Sequence, residues 1–392
     1  MLKLRTLKDL NLKNKRVLLS VDYNVPVSSG IVGDPLRIEA SFETIKYLLK
    51  QNCSIVLMSH MGRPEGKPNP EMSLEPVAKK ASQMLGRPIG FIKDCVGPEA
   101  EAAAKALQPG EIILLENTRF HKEEEANDPK FAKKLAGLAD IYVDDAFANI
   151  HRAHASTVGV AEYLPSAAGC LVEKEVAHIS RALQNPKHPL LAVIAGAKVS
   201  TKIEVLDNLL KYVDRLLIGG AMANTFLAAL GHPIGKSKYE KDYMDEAKVI
   251  IVDAKRKGVE LILPDDVVVA DSLEKGPGKV IGIDEVKKSD YIVDLGPKTV
   301  ARALNPIDFH GTVIWNGPLG ITEVHEFAHH SRLLAENIIE SGADCIIGGG
   351  DTAAFVDEAG LHDKFTWVST GGGASLELMA GQELPGLKVL QK

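Results

Sequence analysis

No apolar run in the chain is long enough to span a bilayer, and its first residues, MLKLRTLKDLNLKNKR, interrupt every apolar stretch with Lys, Arg or Asp. Neither a membrane span nor a signal-peptide core is expected. Cysteine is scarce. Cys53, Cys95, Cys170 and Cys345 lie far apart, without CxxC or metal-ligand spacing, and read as buried thiols of a reducing cytosol. A one-sided charge is missing too: a net charge of −6 over 392 residues and a pI near 6.1 supply no basic field for nucleic acid. No GxGxxG follows the first strand of either half, which counts against a dinucleotide-dependent dehydrogenase. GHPIGKS (231–237) has one residue too few between its glycines for a Walker A loop, and it follows a helical pattern rather than a strand. No internal repeat or low-complexity tract stands out.

What is present is a regular alternation. The length exceeds one ordinary core, so two domains of roughly 150 to 200 residues are expected. Strand-like runs at 16–21, 54–58, 111–115 and 140–143 are separated by helical stretches. Asp34-Pro35 reads as an N-cap and first-turn proline for a helix over 36–50, and Asp128-Pro129 repeats that signal before 130–138. The second half repeats the pattern, with strands at 190–194, 215–218, 259–263, 312–315, 344–347 and 366–368. The expected fold class is α/β: two doubly wound, Rossmann-like domains with mostly parallel sheets.

In such sheets ligands sit beyond the carboxyl ends of the strands. In the second half those ends are glycine-rich: IGGAM (218–222), NGPLG (316–320), GGGDT (348–352) and WVSTGGGASLE (367–377). Glycine lets backbone approach a ligand closely, and free N–H groups at a helix start favour an anion. Four such turns favour a nucleotide phosphate site over four unrelated tight turns. AGAKVSTKIEVL (195–206) adds Lys198 and Lys202, four apart and so on one face of an expected helix, either a phosphate site or a surface lysine pair. Asp351 reads as a Mg²⁺ ligand or as an N-cap, and Glu323 as a ribose acceptor or an exposed acid. In the first half the strand ends are polar or basic: VDYN, SHMGRP, ENTRFH and DDAFANIHRAH. They bring Arg37, Arg63, Arg119 and Arg152, with His60 and His151 or His154, toward one edge, where guanidiniums suit a small, multiply anionic ligand. Asp22 and Asn24 either cap their turn or orient that ligand.

Together VDYNVP, DPLRIEASFETI, SHMGRP, LLENTRFHKEE, DDAFANIHRAHAS, GAKVSTKI, NGPLG, GGGDTAA and VSTGGGASLELMAG make the chain resemble the phosphoglycerate kinase family from end to end. The resemblance implies reversible phosphoryl transfer from 1,3-bisphosphoglycerate to ADP, giving 3-phosphoglycerate and ATP, with Mg²⁺. It implies a cytoplasmic, monomeric enzyme of glycolysis and gluconeogenesis with no nucleic-acid or membrane partner. Asp22, Asn24, Arg37, His60, Arg63, Arg119 and Arg152 map onto the family's triose positions. Lys198, Lys202, Gly219, Gly220, Asn316, Pro318, Glu323, Gly349, Gly350, Asp351 and Thr352 map onto its nucleotide positions, with Asp351 toward the metal. Gly371 and Gly372 map onto the turn beside the transferring group. The implied domains are 1–169 for the triose, 170–184 as an interdomain helix, 185–372 for the nucleotide, and 373–392 returning to the first domain. Ser20, Asp144, Ala195, Ala221 and Thr322 depart from the family's usual residues (Arg, Asn, Gly, Gly and Phe), and Asp144 adds a negative charge near the basic cleft.

The chemistry implied needs no general base, because a phosphate oxygen attacks and a carboxylate leaves. Arg37 and Lys202 are the expected stabilisers of charge in flight, assisted by Lys198 and the Gly371 turn. Closure of two domains about the helical stretch 170–183 is expected, the alternative being a helix that merely fills an interface. Two rival classes stay open: another carboxylate kinase, and a non-catalytic nucleotide sensor. The latter would not need Arg37, Lys202 and Asp351 together.

Overall fold

A computed structural model of the chain describes residues 3–304 and 309–392. Two compact units are present. One runs to Ala177 and takes back Glu383–Lys392; the other is His178–Gln382. The division falls inside the helix Cys170–Gln184, and the chain returns at Gln382/Glu383 rather than at 373. The helix Gly373–Met379 stays with the second unit, because Asn208 donates to the Met379 carbonyl at 2.6 Å.

The first unit holds a six-stranded, all-parallel sheet in the spatial order Gly90–Ile92, Ile112–Leu115, Ser54–Met58, Arg16–Ser20, Ile141–Asp144, Ser166–Ala168. Its central strands read as nearly continuous apolar runs because both faces are covered. Val17, Leu19, Ile55 and Leu57 enter one core, whereas Leu18, Val56 and Met58 enter the other. The period-two alternation of a strand makes that division.

The second unit has its own all-parallel sheet, ordered Glu260–Ile262, Arg215–Gly219, Leu190–Ala195, Thr312–Asn316, Asp344–Gly348, Trp367–Val368. Numbered along the chain this is the order 3-2-1-4-5-6, which places a crevice beyond the carboxyl ends of the paired neighbours Leu190–Ala195 and Thr312–Asn316, where the strand order reverses. A separate antiparallel sheet, Lys279–Gly282, Asp266–Ala270 and Tyr291–Leu295, was not foreseen. Asp266–Ala270 is buried along its whole length, so no in-and-out alternation marks it.

Local signals were read with mixed success. Asp128 caps Pro129–Ala136 through Lys130 and Phe131 N–H, as expected. The helix over 36–50 is in fact two, Leu36–Ala40 and Phe42–Lys50, because the Ser41 hydroxyl takes the Ile38 carbonyl at 2.7 Å. Pro35, not Asp34, occupies the cap position there, although Asp34 Oδ1 still accepts from Leu36 N–H. Among the described residues no helix is long and apolar enough to cross a membrane.

Candidate functional site

Each unit presents one cluster at the carboxyl edge of its sheet. In the first, Arg16–Ser20 leads to Asp22 and Asn24, and Ser54–Met58 to His60 and Arg63. Ile112–Leu115 leads to the 3₁₀ turn Thr118–Phe120 that carries Arg119, and Ile141–Asp144 to His151, Arg152 and His154. Arg37 comes from the short helix Leu36–Ala40; its Nη1 donates to Asp22 Oδ2 at 2.7 Å and to the Asn24 carbonyl at 3.3 Å. Asn24 Oδ1 accepts from Gly62 N–H at 3.0 Å, while Arg119 Nη1 donates to the Gly62 carbonyl at 2.8 Å. Asp22 and Asn24 thus hold the surrounding backbone and guanidinium in place.

Arg119 is only 3% exposed, with Nε 3.2 Å from Glu125 Oε1. Its Nη2 is buried and makes no hydrogen bond among the described residues, so a strong donor is left waiting for an acceptor. Burial, then the fields of Arg119, Arg152, His154 and Arg37, holds His60 well below the usual imidazole pKa. Burial with Arg119 and Arg152 pulls His154 down to about 4. Both imidazoles are neutral near pH 7, so the positive charge of the cluster lies on its arginines, and Arg63 acts on Arg119. This is a basin for an anion with several oxygens.

Asp144 and Asp145, at the foot of the same edge, are fully buried, and each has an Oδ2 without a partner among the described residues. Burial raises Asp144 from 3.8 to about 6 and Asp145 to about 7. The folded chain therefore binds more protons than the unfolded one between about pH 4 and 7. The pair's contribution is fully favourable below the unfolded pKa and is lost as pH rises through the folded values. Asp144→Asn removes one of these charges. It is expected to raise stability by about 3 kcal/mol at pH 8 and by about half as much at pH 5. Chemical denaturation at the two pH values reads this, and an equal or opposite effect at both would contradict the assignment.

In the second unit the crevice is a cleft of about 740 Å³. All four glycine-rich turns reach it, through Gly220, Asn316–Gly320, Gly349–Thr352 and Gly372. Three of them start helices, at Gly220, Gly350 and Gly373, while NGPLG runs into a loop. At Gly317 φ is +96°, and a Cβ there would fall 2.0 Å from the Ala195 carbonyl oxygen, so this turn admits only glycine. Gly349 has φ +94°, and a Cβ would meet Asn316 Nδ2 at 2.8 Å. That Nδ2 is itself buried and unpartnered among the described residues.

Lys202 spans the switch point. Its Nζ donates to the Ala195 carbonyl and to Asn316 Oδ1, both at 2.5 Å, joining the carboxyl ends of the two neighbouring strands between which the strand order reverses. Burial lowers its pKa to about 8, partly offset by Asp351. Asp351 and Glu323 are exposed and line the cleft.

Several expectations need correction. The helix after AGAKVST begins only at Ile203, with Lys202 at its cap position, so Lys198 and Lys202 do not share a helical face. Lys198 sits exposed in the preceding turn, and Lys198, Gly219 and Gly371 do not line the cleft. Asp351 lies in the first helical turn, not at the cap, which is Gly349.

Other contacts escaped the sequence, which named Thr352 only as a nucleotide position and did not find Ser331 or Asp294. Thr352 Oγ1 accepts from Gly317 N–H at 2.7 Å, and the fully buried Ser331 hydroxyl accepts from Leu319 N–H at 2.9 Å, so both pin the NGPLG turn. Asp294, buried beside His330, whose N–H and Nδ1 both lie 3.0 Å from its Oδ2, forms part of the cleft wall. Hydroxyls and carboxylates brought in from distant segments leave no local motif. Asp94, Cys95 and His121 also converge, with ligand atoms within 4.8 Å, but His121 Nε2 already meets Asp94 Oδ1 at 2.7 Å and burial keeps the Cys95 thiol protonated.

The family model for phosphoglycerate kinase matches residues 7–382. The chain is similar to phosphoglycerate kinase of Dictyoglomus turgidum, 50% identical over 388 residues and covering 98% of each chain. It is similar to that of Moorella thermoacetica at 50% over 386 residues, again covering 98% of each. Its fold is similar to the structure of phosphoglycerate kinase from Coxiella burnetii, with a TM-score of 0.89, 44% identity, and coverage of 99% of this chain and 98% of that one. The crystal structure from Pyrococcus horikoshii gives a TM-score of 0.85 at 32% identity, covering 98% of each.

Proposed function

This chain belongs to the phosphoglycerate kinase family, kinases that move a phosphoryl group reversibly between 1,3-bisphosphoglycerate and ADP in glycolysis, and from that premise we propose how its own residues carry the reaction. The arginine basin of the first unit binds the triose. Arg63 and Arg119 grip its non-transferring phosphate, and Arg37, held by Asp22, faces the acyl phosphate. The cleft of the second unit binds the nucleotide, its phosphates over the glycine turns and its base against the apolar wall that includes Leu273, Ile292 and Leu319.

The observation that carries this reading is the Lys202 ammonium, fixed between Ala195 and Asn316 at the carboxyl edge where the strand order reverses. An ammonium so placed meets phosphate without reorganising, and its charge is worth more away from water. Asp351 offers one exposed carboxylate at the lip of the phosphate end, the donor set expected for Mg²⁺ shared with nucleotide oxygens. That ion supplies charge neutralisation when bound. No general base is required, since neither attacking phosphate oxygen nor leaving carboxylate carries a proton. The protein works as a cytoplasmic monomer. A coupled assay of ATP formation from ADP and 1,3-bisphosphoglycerate tests the assignment directly, and absence of turnover would remove it.

Because the two ligands bind different units, we infer closure about the helix Cys170–Gln184 before reaction, bringing the reacting oxygens to about 3–3.5 Å with water excluded. Each ligand alone favours closure little, and both together shift the population. Small-angle scattering of the free, 3-phosphoglycerate, nucleotide-Mg²⁺ and ternary forms is expected to show compaction confined to the ternary complex. Full compaction with one ligand, or none with both, would contradict this.

A further inference from the structure

Glu124 sits in the short helix Lys122–Glu125, just after the 3₁₀ turn Thr118–Phe120 that carries Arg119. It is 1% exposed, and both of its carboxyl oxygens are committed to one residue far along the chain. Oε2 accepts from Ser156 N–H at 3.0 Å, and Oε1 accepts from the Ser156 hydroxyl at 2.5 Å. The Glu124 backbone carbonyl accepts in turn from Ala155 N–H at 3.0 Å. Two segments 32 residues apart are thus joined at one point. Burial raises the Glu124 pKa, and the Ser156 donors, then Arg119, pull it back. A carboxyl enclosed in this way is tolerable only while those donors are held to it.

Each segment carries part of the arginine basin. The first bears Arg119, whose Nε lies 3.2 Å from Oε1 of Glu125, the next residue after Glu124. The second bears Arg152 and His154 shortly before Ser156, with His154 Nδ1 4.0 Å from Glu124 Oε1. Ser156 is also held from the sheet side, where its carbonyl accepts from the Tyr142 hydroxyl at 2.9 Å. The loop is therefore clamped between the strand Ile141–Asp144 and Glu124. Arg119 and Arg152 lie in each other's field and repel, so a loop free to move would swing them apart. Resting on the triose reading of this basin, we propose that Glu124 is a positioning residue: through Ser156 it ties the loop of Arg152 and His154 to the Arg119 turn, so that the guanidiniums meet the triose already converged. Preorganisation of this kind acts on affinity for the triose and leaves the nucleotide cleft of the second unit unaffected.

Glu124→Met keeps the length of the side chain and removes both acceptors. It is expected to raise KM and Kd for 3-phosphoglycerate by about 10-fold, with kcat and the nucleotide KM within about twofold. Glu124→Gln still accepts from Ser156 N–H and can donate to the Ser156 hydroxyl oxygen, so its triose KM stays within about threefold of the unaltered enzyme. The pair separates position from charge. Both variants take away whatever negative charge the carboxyl carries, and on field alone both would favour an anion. Ser156→Ala loses the hydroxyl bond alone and is expected to raise the triose KM by about threefold, which carries the test if the methionine variant does not fold. Steady-state kinetics gives the two KM values, and calorimetric titration with 3-phosphoglycerate gives Kd without turnover. A triose KM that does not rise in Glu124→Met or in Ser156→Ala would overturn the proposal. So would an equal rise in the nucleotide KM, or a Glu124→Gln variant as impaired as Glu124→Met. No binding of 3-phosphoglycerate to the unaltered enzyme would instead bring down the triose reading and this proposal with it.

Discussion

Lys202→Ala lowers kcat by about 10² to 10³-fold, the scale for removing one preorganised stabiliser of transition-state charge, with a smaller change in nucleotide affinity. Two neutral oxygen acceptors hold the ammonium, Ala195 O and Asn316 Oδ1, so it is oriented without being neutralised. Burial has already lowered its pKa to about 8. Anionic phosphate arriving beside it must raise that value. Nucleotide binding near pH 8 to 9 is therefore accompanied by proton uptake, and affinity declines above pH 8 as the free ammonium titrates. Calorimetry in buffers of different ionisation enthalpy detects the uptake, and the alanine variant should lose it. A kcat within about twofold of the unaltered enzyme would make Lys202 a structural strut.

The second large effect divides the arginine basin. Arg119→Ala removes a guanidinium that is nearly enclosed and has an unpartnered Nη2, so it chiefly raises KM for the triose, by about 10² to 10³-fold. Arg63→Ala, at an exposed position, raises KM less. Arg37→Ala acts on kcat instead, by about 10²-fold, and leaves the buried Asp22 carboxylate without its 2.7 Å partner. Burial already pushes the Asp22 pKa up against the pull of Arg37, so losing the guanidinium raises it further. Steady-state kinetics of the three variants separates the roles. Equal losses of kcat in all three would show that the basin acts as one unit.

The central strands of both parallel sheets were legible as apolar runs that end in polar or glycine residues, as at Ser54–Met58 and Thr312–Asn316. That legibility has a physical source: a parallel strand is covered on both faces, so its composition alone announces it. Asp266–Ala270 and its antiparallel partners were not read as strands, because no α-helical stretch separates them from one another or from Glu260–Ile262 to continue the strand-helix alternation. At the clusters, residue types that recur at strand ends were found, since the topology itself collects them. The Lys198 and Lys202 pairing failed for a local reason. The turn before Ile203 is not helical, and a spacing of four fixes a common face only inside a helix. Ser331 and Asp294 were invisible because their significance lies in which distant backbone group each satisfies.

The account stands on direct, in-line passage of the phosphoryl group from the acid to the nucleotide, with the chain supplying position and charge but no nucleophile. Its most direct test is the stereochemical course at phosphorus, followed with a transferring group made chiral by oxygen isotopes and analysed in the ATP formed. One displacement inverts the configuration, and inversion is the result expected here. Retention would require two displacements through a covalent phosphoenzyme, and would contradict the account.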